Sequence, residues 1–200
     1  RSEVLAYLQI LIMENTEPAK PNLIAFRNGV YNIDTGELRA FSHEIVLTNR
    51  IPWDFNESAY SQLADKTLDK IACHDTQIRT ILNECIGSCF YRSNTLGGGK
   101  AFILTGEGAN GKSTFLTMIQ NILGEENISS LDLKELDAKF QNAELFGKLA
   151  NIGDDISDEF IVNASVFKKL VTGNRIQVQR KGERPFEFNN HAKMLFSANN

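Results

Sequence analysis

The sequence predicts an α/β fold: a phosphate-loop core preceded by a smaller, mainly helical domain with a short β-element. Three observations carry this expectation. Ala101–Thr105 reads as a short buried strand, followed at once by a glycine-rich loop and then by Phe115, Met118, Ile119 and Ile122 at helical spacing, with Gly124 as the stop. Upstream, residues 58–72 and 75–91 carry apolar residues at a helical period. Between 23 and 41, short strand-like runs alternate with Asn28-Gly29 and Asp34-Thr35-Gly36 turn signals. A boundary near residue 95 divides the chain into domains 1–95 and 96–200.

The loop is the most specific stretch. Gly106-Glu107-Gly108-Ala109-Asn110-Gly111-Lys112-Ser113 matches G-x-x-x-x-G-K-[ST], and Thr114 follows it. Glycines let the backbone turn so that the N–H groups of Gly108, Ala109, Asn110 and Gly111 converge on oxyanions. Lys112 brings a positive charge to the β/γ-phosphates of a nucleotide, and the Ser113 hydroxyl reaches Mg²⁺. With a strand before it and a helix after it, the helix N-terminus points at the phosphates.

The chain has 200 residues, 42% hydrophobic and 23% charged, which suits a globular chain of one or two domains. No apolar run approaches the roughly 20 residues of a membrane helix, and no secretory signal is visible. A cytoplasmic location is expected. The first residue is Arg1 and the last, Asn200, follows an apolar run closely, as expected of a piece excised from a longer protein. The net charge of −4 argues against a surface that coats nucleic acid broadly but leaves room for a local basic site. Cys73, Cys85 and Cys89, with His74, fit no common zinc spacing and read better as buried free thiols.

In chain order, residues 2–13 place Val4, Leu5, Leu8 and Ile12 on a helical period until Pro18 and Pro21 break it. His43 carries no assigned role, and Pro52-Trp53-Asp54-Phe55 fits no element. Ser93 to Lys100, with Gly97-Gly98-Gly99, reads as a linker. After the loop helix, Leu133, Leu136 and Phe140 suggest a short helix. Lys148 to Gly153 forms a weak strand, interrupted by Asn151 and Gly153, that runs into Asp154-Asp155. Adjacent carboxylates at a strand end suit two tasks beside Ser113: one holds the Mg²⁺ shell and the other polarises the attacking water. Asn163 caps a helix carrying Val166, Phe167, Leu170 and Val171, which Gly173 ends. Residues 175–188 read as a two-stranded ribbon with its turn near Lys181-Gly182-Glu183. From 175 to 193 five basic residues (Arg175, Arg180, Lys181, Arg184, Lys193) face two acidic ones (Glu183, Glu187). Met194–Ala198 is a buried-strand pattern that ends at Asn199.

Gly106–Thr114, Ile152-Gly153-Asp154-Asp155, the basic hairpin after Val171–Asn174 and Met194–Asn199 stand in an order that resembles the superfamily 3 helicases of the AAA+ class. The likeness is narrower to the helicase region of phage and plasmid primase–helicases, which share the Asn28-Gly29-Val30 and Thr35–Leu38 patterns. The resemblance implies an AAA+-type core with a central parallel sheet and flanking helices. It implies ATP and Mg²⁺ as cofactors, Lys112 and Ser113 on phosphate and metal, and Asp154 and Asp155 as the acidic pair, Asp154 on the metal. Asn199 is the sensor of the γ-phosphate, and Arg180, Lys181 and Arg184 contact single-stranded DNA. It further implies a homo-oligomeric ring, usually a hexamer, acting in DNA replication in a bacterial cell, with the gene phage- or plasmid-borne. Two positions depart from the pattern: Asp155 stands where many relatives have Glu, and Asn174 where Asp is common. The family's arginine finger lies beyond the sensor strand. Two other readings compete: a nucleotide-gated assembly or DNA-binding module without catalysis, and a small-molecule kinase, for which the cationic ribbon is a poor match.

Overall fold

Strand β1 (Leu23–Phe26) turns at Arg27-Asn28 into β2 (Gly29–Asn32), and β3 (Glu37–Arg39) completes an antiparallel meander in the order β1-β2-β3. The computed structural model describes residues 19–95, 98–138, 140–153 and 164–198. The helix expected over 2–13, the Asn163 cap, Asp154, Asp155 and Asn199 lie outside the described residues.

The segment 51–55, which fitted no sequence pattern, is a strap across the meander. Ile51 N–H donates to the Ala25 carbonyl at 2.8 Å and Arg27 N–H to that of Trp53 at 2.9 Å. Asn28 exchanges two hydrogen bonds with the Phe55 backbone, and Arg27 forks onto Asp54 at 2.7 and 2.8 Å. The Phe55 ring stacks on Tyr31 at 4.2 Å, and Trp53 Nε1 donates to the Asn121 carbonyl at 2.7 Å. None of this has a period, because the segment is held by side-chain contacts and isolated backbone bonds rather than by a ladder.

Helix α1 (Gln62–Ile71) begins later than its apolar pattern suggests, because the Ser61 hydroxyl caps the Ala64 N–H. Helix α2 (Thr76–Phe90) is capped by Asp75, whose carboxylate accepts from Gln77 and Ile78 N–H at 2.7 and 3.1 Å. Cys73 and His74 make the turn between the helices in the left-handed region.

Beyond residue 95 the chain alternates strands and helices: β4 (Ala101–Thr105), α3 (Lys112–Leu123), β5 (Ile128–Ser129), two 3-10 turns over 135–145, β6 (Ala150–Gly153), α4 (Ala164–Thr172), β7 (Arg175–Val178), β8 (Phe186–Asn189) and β9 (Lys193–Ala198). The fold is mixed α/β, with a four-stranded parallel sheet in the order β4-β9-β6-β5. Strands β7 and β8 form a separate antiparallel ribbon. Period-2 alternation sends β9 both ways: Leu195 enters one apolar cluster, Met194 and Phe196 the other. The first cluster joins α1, α2 and α3 to the sheet and to Ile24 and Ile51; the second packs Leu136, Leu145, α4 and the ribbon's Ile176, Val178 and Phe188 on the opposite face.

Four sequence expectations change. Ala101–Thr105 is not a buried strand: among the described residues β4 pairs only with β9, and Ile103 is 50% exposed. The short helix expected around Leu133, Leu136 and Phe140 is instead a pair of 3-10 turns, with Phe140 at positive φ between them. Residues 93–100 are not a free linker, since buried Asn94 donates to the carbonyls of Leu170, Asn190 and Ala192 at 3.2–3.3 Å. The two residues that weakened β6 are structural parts of it. Asn151 is fully buried; its Oδ1 accepts from Ser129 Oγ and Leu131 N–H, and its Nδ2 donates to the Leu131 carbonyl, each at 2.9 Å. Gly153 leaves room for Phe196, whose ring lies 2.7 Å from where a Cβ would stand.

Candidate phosphate-binding site

Strand β4 ends at Thr105, and the loop that follows carries its turns at Gly106 (φ 147°), Ala109 (φ 62°) and Gly111 (φ 91°). Gly111 is required twice over. Its φ is left-handed, and an added Cβ would come within 2.8 Å of Ile71 Cγ1 on α1. A Cβ on Gly106 would overlap the Asn110 amide. Ala109 holds a left-handed conformation without being glycine, local strain of the kind that collects in ligand-binding loops.

Gly111 is also the N-cap of α3, with no side-chain cap and no acidic residue in the first turn. A helix N-terminus without a side-chain cap, with the helix dipole behind it, favours an anion. Lys112 Nζ donates to the Gly106 carbonyl at 2.6 Å, the Glu107 carbonyl at 3.2 Å and Asn110 Oδ1 at 3.3 Å. The ammonium is thus centred in the loop by the loop's own oxygens. Ser113 and Thr114 follow on the exposed first turn of α3.

Parallel pairing fixes where other segments leave the sheet. Thr105 pairs with Ala198, and Gly153 with Phe196, so β4, β6 and β9 end at one edge. Asp154, Asp155 and Asn199 come next in sequence after β6 and β9 and lie outside the described residues.

A cleft of 700 Å³ opens beside the loop. Residues 108–114 form one wall, and Lys66, Thr67, Lys70, Ile71 and Cys73 of α1 and its following turn form the other. Sequence reasoning did not single out this second wall. Its available signal was the offset of Lys66 and Lys70, four apart, from Asp65 and Asp69, also four apart, on one helix.

The ribbon presents Arg180, Lys181 and Arg184 at its exposed tip. Arg180 lies 3.8 Å from Glu183 and 5.4 Å from the Phe186 ring centre, and Arg175 pairs with Glu187 at 2.8 Å. None of the described ion pairs uses Lys181 or Arg184. Lys193 does not belong to this basic surface. It is buried at the far end of β9, donating to the carbonyls of Tyr91 and Ser93 and to Asn94 Oδ1 at 2.6–3.0 Å. Burial lowers its pKa to about 8. Beside it, burial lowers His191 to about 4, helped by the charges of Arg92 and Lys193. Of the cysteines, Cys85 and Cys89 are buried, and desolvation pushes Cys89 up to about 12; Cys73 is exposed, against the expectation of three buried thiols.

Comparison with known proteins covers both halves of the chain. Residues 1–85 match the family described as "D5 N terminal like". Residues 104–200 match a family of unknown function, DUF5906. A search of curated protein sequences returns no match. Among solved structures, the A-form apo structure of the NrS-1 C-terminal region superimposes with a TM-score of 0.58 at 20% identity, covering 92% of this chain and 41% of that one. A second apo structure of the same region gives 0.59 at 19% identity, covering 92% and 42%. The chain therefore spans less than half the length of these structures, and the likeness is one of fold. Among the described residues, no helix is long and apolar enough to cross a membrane.

Proposed function

We propose that this chain is the nucleotide-binding core of an ATP-driven DNA helicase or translocase of replication, of the superfamily 3, AAA+ type found in phage and plasmid primase–helicases. The observation that carries the reading is the unit β4–loop–α3: a motif-matching loop with strained turns, a centred lysine and an uncapped helix N-terminus at the end of a parallel sheet. The fold likeness to the NrS-1 region and the match of residues 1–85 are consistent with it. The division at residue 95, into a helical N-terminal domain and the ATPase core, is part of the same proposal.

In this reading the backbone from Gly106 to Gly111 wraps the β- and γ-phosphates of ATP. Lys112 exchanges its loop oxygens for phosphate oxygens, and Thr114 closes the first turn of α3. Ser113 and Asp154 hold Mg²⁺, which would neutralise charge on the transferred phosphoryl group. Asp155 takes a proton from water as its oxygen bonds to the γ-phosphorus and the bond to the β-bridging oxygen breaks. Asn199 orients that water. Identical subunits form a ring, a hexamer by family resemblance, and present Arg180, Lys181 and Arg184 to single-stranded DNA in the channel. The same tip in every subunit gives a net-acidic chain a cationic lining.

ATP turnover by the protein, with and without a single-stranded oligonucleotide, tests this. The expected result is DNA-stimulated hydrolysis that Asp155→Asn lowers by about 10²–10⁴, the usual scale of a general base, with nucleotide affinity retained. Asp154→Asn is expected chiefly to raise the Mg²⁺ requirement. Nucleotide binding without any turnover would favour the non-catalytic assembly module, and turnover indifferent to DNA but dependent on a small acceptor would favour a kinase.

A further inference from the structure

We propose that α1 is the second wall of the nucleotide pocket, with Lys66 and Lys70 acting on the phosphate chain from the side opposite Lys112. The inference rests on the loop binding a nucleotide. It extends the site into residues 1–85, a segment matched by a different family from the one that contains the loop.

Three observations carry it. The first is contact: Ile71 abuts Gly111, so closely that no Cβ fits between them, and the 700 Å³ cleft has the loop on one side and α1 on the other. The second is the sorting of charge on α1. Its acids are turned to α2, where Arg79 holds Asp65 at 2.5 Å and Asp69 at 3.4 Å, and Asp65 also accepts from Tyr60 Oη at 3.2 Å. Lys66 and Lys70, one turn apart and therefore on one face, line the cleft instead. Neither enters any of the described ion pairs. The third is the balance of the cleft. Its described lining includes Lys66, Lys70 and Lys112 and no carboxylate, in a chain of net charge −4. Lysines on both walls favour an anionic ligand, and the class that fits a cleft beside a phosphate loop is a nucleoside polyphosphate. Lys70 also stands in the last turn of α1, where it complements the helix dipole. That role alone would leave Lys66 unexplained.

Calorimetric titration of the protein with Mg·ATP over a range of salt concentrations tests the wall, using Lys66→Gln/Lys70→Gln, Lys66→Arg/Lys70→Arg and Lys112→Ala. At about 0.2–1 kcal/mol for each exposed charge pair, the Gln pair should weaken binding about two- to thirtyfold and flatten its salt dependence. The Arg pair should restore both, because it keeps the charge. Exposed Cys73 gives an independent readout: saturating Mg·ATP should slow its alkylation by iodoacetamide several-fold, while Cys85 and Cys89 stay unreactive in the core. If the Gln pair binds like wild type and Cys73 is not protected while Lys112→Ala weakens binding about tenfold or more, the α1 wall is overturned and the loop reading stands. If Lys112→Ala binds like wild type, the loop reading falls and the α1 wall falls with it.

Discussion

Lys112 and His191 show how differently two charged-residue types are used at the two ends of the same sheet. Lys112 is partly exposed and satisfied by three loop oxygens, so a phosphate need only replace neutral acceptors with charged ones. His191 is held neutral by burial beside Arg92 and Lys193. Its pKa of about 4 in the folded chain lies below the usual 6.5. Between these values the unfolded chain binds the extra proton, so stability rises with pH across that window and is lost as pH falls through it. The slope contributed by this one residue approaches about 1.4 kcal/mol per pH unit. Urea unfolding at several pH values should show it, and His191→Gln should remove most of the slope; an unchanged slope in that variant would place the acid sensitivity elsewhere.

At the scale of elements, legibility followed from where each one gets its order. The strand–loop–helix unit, both α1 and α2, and the ribbon were readable because each carries its own period or its own motif. The 51–55 strap was not, because Trp53 and Asn28 take their partners from distant chain segments. Asn151 and Gly153 looked like breaks in β6 for the same reason: one bonds the chain beyond β5 and the other yields space to Phe196. Gly153→Ala should therefore overpack the sheet and cost about 1–3 kcal/mol, read as a lowered thermal midpoint. An unshifted midpoint would mean that Phe196 and the Leu131 carbonyl, both 2.7 Å from the added Cβ, move freely aside. The ribbon has a matching test in binding. Replacing Arg180, Lys181 and Arg184 with Ala should weaken single-strand affinity and reduce the slope of log K against log salt by ~0.7 for each phosphate no longer neutralised. Fluorescence anisotropy with a labelled oligonucleotide measures both, and a triple variant equal to wild type would remove the ribbon from any DNA interface.

For the molecule as a whole, the parallel sheet separates two kinds of work. One face packs α1, α2 and α3, with a core drawn from both sides of residue 95; the other packs α4 and the ribbon. Three strands end on the side of the sheet where the loop begins, while Lys193 and His191 knit the opposite end. The loop was legible in the sequence as a strand–loop–helix motif, but the cleft's second wall was not, because α1 reaches the loop through tertiary packing of Ile71 on Gly111. Everything proposed for the chain depends on that loop holding a nucleotide. Titration calorimetry with Mg·ATP tests this most directly. Wild type should bind, and Lys112→Ala, folded by circular dichroism, should bind about tenfold or more weakly, since a charge-assisted hydrogen bond is worth ~1.5–3 kcal/mol. Equal affinity in the two proteins, or no binding by wild type, would contradict the account.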